Sequence, residues 1–127
     1  MKKLLLFPLL VITCFCFAQD AKEIIGKPVT IGNLVVAQND FPNSMTWDNA
    51  KKACAKLGNG WRLPTKNELN TLYQNKNAIG YYSDMNYYWS SSVDYYNYFV
   101  DIQFFLTGFQ GFASKSRDCR VRAVRSL

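Results

Sequence analysis

Residues 60–69 read Gly-Trp-Arg-Leu-Pro-Thr-Lys-Asn-Glu-Leu and mark the beginning of a helix. Thr65 precedes Glu68 by three positions, which is the spacing of a capping box: the threonine side chain accepts a hydrogen bond from the glutamate amide, and the carboxylate accepts one in return. An apolar stripe follows at helical spacing, and it consists of Leu69, Leu72 and Tyr73. The pattern predicts a helix that fades near residues 75–77 and gives Glu68 a capping role, which we prefer to that of a catalytic acid.

A second helix is predicted upstream of this stretch. Thr46 is its expected N-cap, and Gly58 stands where helices commonly end. Apolar residues recur between them at spacings of three or four, namely Trp47, Ala50, Ala53, Cys54 and Leu57. The apolar face predicts that this helix packs on a core.

Strand signals lie on both sides of the helices. Residues 31–37 are predicted as one strand after a loose leader over residues 19–30. Further strands are predicted over residues 87–91, 98–105 and 119–123, with a turn between Gly108 and Gly111. In the second of these, the alternating set expected to face the core is Tyr98, Val100, Ile102 and Phe104.

The first eighteen residues have the layout of a secretory signal peptide. A basic start is followed by an apolar run, and small residues precede an expected cleavage site after Ala18. The alternatives are a membrane anchor, a buried helix, and a lipoprotein acylated on Cys14. Cleavage predicts a secreted or periplasmic protein without a transmembrane segment.

Composition narrows the class of protein. The chain of 127 residues has room for one domain, and 49% apolar against 19% charged residues is typical of a globular protein. It contains no histidine, which excludes Ser-His-Asp and Cys-His catalysis and the zinc sites that need imidazole. The net charge of +6 falls by two when Lys2 and Lys3 leave with the signal peptide, so nucleic acid is not an expected partner.

Two cysteines remain after cleavage. Because Cys54 and Cys119 form an even pair in an oxidising compartment, we predict a disulfide between them. Free thiols or metal ligands are the alternatives, although two cysteines without histidine make a poor metal site.

Several separated motifs resemble the Lcl C-terminal domain family, first described at the end of bacterial collagen-like adhesins. The motifs lie within residues 45–54, 60–65, 68–69, 88–92 and 121–125, and the resemblance covers residues 31–126. It implies an α+β fold of the C-type-lectin-like or formylglycine-generating-enzyme-like kind: two helices packed on a twisted antiparallel sheet. It also implies a disulfide between the first helix and the last strand, at Cys54 and Cys119.

The sequence departs from the catalytic and calcium-binding members of these folds. It lacks the Glu-Pro-Asn, Gln-Pro-Asp and Trp-Asn-Asp triplets of calcium-dependent lectins, and Trp89-Ser90-Ser91 stands where an acidic triplet is sought. Formylglycine-generating enzymes need two active-site cysteines, which the predicted disulfide uses. We therefore expect no metal, no cofactor and no catalytic residues.

The best candidate for a binding surface is the tyrosine-rich region between residues 81 and 112. Tyrosine offers a large, stiff contact with one polar group, and turn-forming polar residues are interleaved with it. The candidate ligand-binding residues are Tyr81, Tyr82, Asp94, Tyr95, Tyr96 and Asn97. The predicted function is a secreted, adhesin-like, non-catalytic module that binds a glycan or a surface protein; the alternative is that these rings belong to the core.

Three other interpretations stay open. Lys115, Arg117 and Arg120 could bind a polyanion. A small secreted enzyme could act on glycans through paired aspartates among Asp84, Asp94 and Asp101. A structural envelope or matrix protein would have no discrete ligand at all.

Overall fold

A computed structural model describes residues 20–80, 82–83 and 85–127. The predicted signal peptide and Cys14 lie outside the described residues, as do Tyr81 and Asp84. After a helical segment over residues 20–25, the elements in chain order are β1 (Val29–Ile31), β2 (Leu34–Val36), α1 (Trp47–Lys56), α2 (Lys66–Gln74), α3 (Lys76–Ile79), β3 (Tyr87–Val93), β4 (Phe99–Phe104), β5 (Gln110–Ser114) and β6 (Val124–Ser126).

Within the residues that the structure describes, the strands form two antiparallel sheets of three strands each. The first has the order β1-β2-β6, and the pairing of Val36 with Val124 brings the two ends of the domain together. The second has the order β3-β4-β5. Isolated bridges from Met45 to Cys119 and from Arg62 to Val124 attach the segments before the two main helices to the C-terminal residues. The loops of the second sheet are thereby held against a closed scaffold.

Two hydrophobic clusters fill the interior. The tryptophan cluster includes Trp47, Ala50, Cys54, Trp61, Leu63, Trp89, Val100, Ile102 and Cys119. The tyrosine–phenylalanine cluster consists of Leu34, Val36, Leu69, Leu72, Ile79, Tyr82, Tyr88, Phe105 and Val124. Neighbouring residues of one strand enter different clusters, because side chains alternate along a strand: Tyr88 belongs to the second and Trp89 to the first.

The strand predictions are partly wrong. Residues 31–37 do not form one strand, since Gly32, with a φ of +59°, turns the chain between β1 and β2. Gly111 lies within β5, which the sequence did not predict, and the last strand is β6 because residues 119 and 120 pair only through isolated bridges. The leader is also more ordered than expected: it contains the helical segment, and Ile24 within it is buried.

The capping box at α2 is confirmed. The Glu68 amide donates to the Thr65 hydroxyl at 3.2 Å, and the Thr65 amide donates to the Glu68 carboxylate at 2.9 Å. Arg62 donates to both carboxylate oxygens of Glu68, at 2.7 and 3.0 Å, and this pairing holds the pKa of Glu68 below its usual value. At α1 the N-cap is Thr46 as predicted, although its side chain makes no capping hydrogen bond.

The predicted disulfide is absent from the structure. Cys54 and Cys119 are free thiols, both buried in the tryptophan cluster. Burial raises the pKa of Cys54 to about 12 and that of Cys119 to about 11, so both stay neutral and pack as small apolar side chains. The α+β architecture thus forms with these two cysteines unlinked.

Candidate functional site

The hairpin between β3 and β4 ends in a turn that one aspartate organises. The Asp94 carboxylate accepts hydrogen bonds from the amides of Tyr98 at 2.7 Å and Phe99 at 3.0 Å. Asn97 adopts a left-handed backbone conformation, with a φ of +60°, which asparagine tolerates better than most residues. Asp94, predicted as a ligand-binding residue, therefore builds the turn that displays its neighbours.

Three tyrosines project from this turn into solvent. Tyr95 is 94% exposed, Tyr96 71% and Tyr98 70%. They also contact each other: the rings of Tyr95 and Tyr96 meet edge to face with centroids 5.2 Å apart, and those of Tyr96 and Tyr98 stack at 6.3 Å. We call Tyr95, Tyr96, Asn97 and Tyr98 the aromatic tip. Because its rings contact one another, the tip presents one contiguous exposed aromatic surface.

Tyr98 was expected in the core and is exposed. The alternation buries Val100 and Ile102, but Tyr98 lies in the turn before β4, which begins at Phe99. The alternation also ends before the last expected core residue, because Gln103 is buried and Phe104 is only partly buried. The same alternation could have revealed Phe99 as a surface residue, because it has the opposite parity to Val100. Phe99 is 41% exposed and lies 5.3 Å from the ring of Phe112, which is 68% exposed.

Of the remaining aromatic candidates, Tyr82 is in the core. It is 6% exposed and packs against Tyr88 and Phe105 in the tyrosine–phenylalanine cluster. Its hydroxyl has no hydrogen-bond partner among the described residues, and burial raises its pKa. Tyr82 is therefore a core residue and no part of the exposed aromatic surface that Tyr95 and Tyr96 form.

The three polyanion candidates have different environments. Arg120 donates to the Pro42 carbonyl at 3.1 Å and to the Asp40 carboxylate at 3.4 Å, so it has a structural role. Arg117 is exposed, with its guanidinium 4.8 Å from the ring centroid of Tyr87. The Lys115 amine donates to the Asn97 side chain at 3.3 Å and lies 5.1 Å from the ring centroid of Trp47. Only Arg117 of the three presents an exposed side chain.

The sequence analysis did not identify a buried polar cluster that centres on the carboxylate of Asp40. The side chain of Asp40 is 4% exposed, and its carboxylate accepts hydrogen bonds from Arg122, Arg120 and the hydroxyl of Tyr88. Arg122 is fully buried and also lies 3.9 Å from the ring centroid of Tyr82. No local motif marks Asp40, because its partners lie far away in the chain: Tyr88 is 48 positions away, and the two arginines are 80 and 82 positions away. With both oxygens occupied, Asp40 is a structural residue.

Of the aspartates proposed for an enzyme, the two that the structure describes also have partners. Asp94 organises the turn, and Asp101 lies 3.9 Å from the Lys66 amine. A cleft of about 520 Å³ lies among residues 20–24, 39–42 and α1, away from both. Within residues 20–80, 82–83 and 85–127, no three potential ligating side chains of His, Cys, Asp or Glu come together to hold a metal ion.

Comparison with known proteins places this geometry in a family. Residues 26–125 match the family model described as the Lcl C-terminal domain. A search of curated proteins finds no match. In the part of the chain that the structure describes, no helix is long and apolar enough to cross a bilayer.

Solved structures show the same fold. Botrocetin superposes with a TM-score of 0.58 at 10% identity, over 80% of this chain and 98% of that one. Convulxin, a snake venom toxin, gives 0.57 at 14% identity, over 80% of this chain and 96% of that one. EMS16 gives 0.56 at 9% identity, over 79% of this chain and 97% of that one. The fold is therefore α+β and C-type-lectin-like, and the chain belongs to the Lcl C-terminal domain family.

Proposed function

We propose that the protein is an exported, non-catalytic binding module that recognises the surface of a protein or a glycan through its aromatic tip. The exposure of Tyr95, Tyr96 and Tyr98 carries this proposal. Contiguous exposed aromatic surface is uncommon on a monomeric soluble protein and marks an interaction site. Tyrosine loses little side-chain entropy on binding, and its hydroxyl adds hydrogen bonds at the rim of the contact.

Relatives in fold support a macromolecular partner. Botrocetin is known in complex with the A1 domain of von Willebrand factor. EMS16 is described as an antagonist of the collagen receptor integrin alpha2beta1. Proteins with this fold thus contact other proteins, and we extend that kind of partner to this chain, with glycans as the second class.

The proposal is non-catalytic because the carboxylates near the tip already have structural partners. Asp94 accepts two backbone hydrogen bonds. Asp101 lies beside Lys66. A glycosidase needs one carboxyl group free to protonate a leaving group and a second facing it across the sugar. Hydrolysis of a glycan by the purified protein, lost on changing Asp94 or Asp101, would contradict the proposal.

The aromatic tip is tested by a double substitution. Tyr95→Ala with Tyr96→Ala should weaken binding by at least about 1–2 kcal/mol, because exposed aromatic residues dominate interface energies. Binding is measured on a glycan array and on a panel of purified extracellular-matrix and cell-surface proteins, with the circular dichroism spectrum unchanged.

The matched control is Leu106→Ala with Phe109→Ala. These two side chains are 48% and 61% exposed near the turn between β4 and β5, outside the tip. The control should bind like the unchanged protein. If the control and the tip variant lose affinity equally, or if binding falls steeply with salt and with Arg117→Ala, the ligand does not sit on the tip.

Export is tested separately. We expect secretion or periplasmic location after cleavage behind Ala18, so N-terminal sequencing of the exported product should begin at Gln19. A mature protein beginning with an acylated Cys14 would replace this proposal with a lipoprotein.

A further inference from the structure

The two edges of the second sheet differ in whether other segments of the chain form hydrogen bonds with their backbone. Along the outer edge of β3, the Trp89 amide donates to the Arg120 carbonyl at 3.0 Å and the Arg120 amide donates to the Tyr87 carbonyl at 2.9 Å. The Ser91 amide donates to the Pro64 carbonyl at 2.8 Å. This edge is therefore covered by backbone from elsewhere in the fold.

The opposite edge, β5, is open. Among the described residues β5 pairs only with β4, and the backbone groups of residues 111–113 make no hydrogen bond outside that pairing. Natural proteins protect such edges with proline, with charged side chains or with a covering segment. The sequence Gln110-Gly111-Phe112-Ala113-Ser114 has neither a proline nor a charge. At its centre the exposed ring of Phe112 adds apolar surface beside the unpaired backbone.

This strand is complementary to itself. If two copies align antiparallel with Phe112 opposite Phe112, then Gly111 faces Ala113 and Gln110 faces Ser114 of the other copy. No charged side chain faces its own equivalent in this register. The two Phe112 rings lie on the same face of the joined sheet, each beside its own Phe99. Cross-strand aromatic pairs of this kind stabilise strand association.

We propose that β5 is a self-association edge, at which a second copy of this chain adds its own β5 about a twofold axis. The product is one continuous sheet of six strands, β3-β4-β5 followed by β5-β4-β3 of the second copy. A twofold arrangement closes after two copies, so the edge forms dimers and not fibres. The aromatic tip lies in the turn between β3 and β4 and contributes no residue to the β5 pairing, so each assembly carries two copies of the proposed binding surface.

The proposal is tested by the oligomeric state of the protein, which is expressed from the full sequence and purified after any cleavage of its signal peptide by the cell. Sedimentation equilibrium over a concentration series should show a mass that rises from one chain towards two. Phe112→Lys should raise the dissociation constant of the dimer at least about tenfold, because two like charges then face each other at the twofold axis. Circular dichroism should be unchanged, since the replaced side chain is exposed.

Substitutions of opposite charge at Phe112 test the register in which the two β5 strands pair. An equimolar mixture of Phe112→Lys and Phe112→Glu proteins should associate at least about tenfold more tightly than either variant alone. Tyr95→Lys is the matched control: it places the same charge on an even more exposed aromatic position of the tip, and it should dimerise like the unchanged protein.

Three results would overturn the proposal. They are an unchanged protein that stays monomeric up to its solubility limit, a dimer that Phe112→Lys leaves intact, and a lysine–glutamate mixture that fails to associate. None of them bears on ligand binding at the tip, so the two proposals stand or fall separately.

Discussion

At the scale of single residues, Asp40 is the centre of a buried network of ion pairs and hydrogen bonds. One carboxylate accepts hydrogen bonds from two arginines and a tyrosine, and the distance to the Nε of Arg122 is 2.7 Å. Arg122 also donates to the Ala37 carbonyl at 3.3 Å. A buried charge is tolerated only where a partner and further hydrogen bonds replace its lost hydration. Asp40 therefore makes it possible for an arginine to occupy the core beside Tyr82.

We expect Asp40→Asn to lower the free energy of unfolding by about 3–5 kcal/mol, because it removes the charge of the carboxylate that pairs with the buried Arg122 guanidinium. Urea denaturation measures the change. Arg120→Gln is the control: its side chain is 20% exposed and the contact between Arg122 and Asp40 survives, so the loss should be clearly smaller. Equal losses in the two variants would mean that the buried pair is not the essential contact.

The two core cysteines lead to a chemical prediction. Because burial raises their pKa values to about 12 and about 11, neither Cys54 nor Cys119 forms thiolate near neutral pH. We expect iodoacetamide at pH 8 to leave both unmodified in the folded protein and to alkylate both in urea, since the thiolate is the reactive form. Peptide mapping without reductant gives the readout. Recovery of a peptide linking Cys54 to Cys119 would show that the exported protein carries the bridge that this structure lacks.

At the scale of elements, the two main helices were predictable, whereas the helical segment over residues 20–25, α3 and half of the strands were not. The start of α2 is encoded locally, by Thr65 and Glu68, and a local signal of this kind can be recognised without knowledge of the fold. β2 is buried on both faces, so Leu34, Val35 and Val36 show no alternation, and a hairpin was read as one strand. The sequence predicted the aromatic tip at Tyr95 and Tyr96. It could not predict that Tyr82 is buried, because that burial depends on contacts with distant residues such as Phe105, and a local sequence pattern does not indicate such contacts.

The capping box predicts a dependence on pH. Hydrogen bonding from Arg62 lowers the pKa of Glu68 in the folded state. The ionised Glu68 carboxylate therefore stabilises the folded state fully at any pH above its pKa in the unfolded chain, which is about 4.3. This stabilisation is lost as the pH falls through the lower pKa that Glu68 has in the folded protein. We expect Glu68→Gln to lower the melting temperature at pH 6. The difference in melting temperature between this variant and the unchanged protein should become smaller as the pH approaches 3.

Thr65→Ala serves as the control for this prediction. It removes an uncharged part of the same box and should cost about 1 kcal/mol at pH 6. Because a threonine does not titrate, much of that loss should persist in acid. If the Glu68→Gln difference is as large at pH 3 as at pH 6, the ionised carboxylate is not what stabilises the start of α2.

At the scale of the whole molecule, the two hydrophobic clusters share their strands. β2 contributes Val35 to the tryptophan cluster and Val36 to the tyrosine–phenylalanine cluster, and Ala123 and Val124 divide in the same way. Neither cluster can lose its strands without exposing the other. The domain should therefore unfold in a single cooperative transition.

The placement of the tryptophans makes this cooperativity measurable. The chain has three, Trp47, Trp61 and Trp89, and all belong to one cluster. Leu72→Ala empties space in the other cluster and should destabilise by about 2–5 kcal/mol. We expect it to shift the unfolding curve followed by tryptophan fluorescence as far as the curve followed by far-ultraviolet circular dichroism. Leu63→Ala, within the tryptophan cluster, provides the matched comparison. Two independent clusters would instead leave the fluorescence midpoint of Leu72→Ala where it stands in the unchanged protein, because no tryptophan would then sense the cavity.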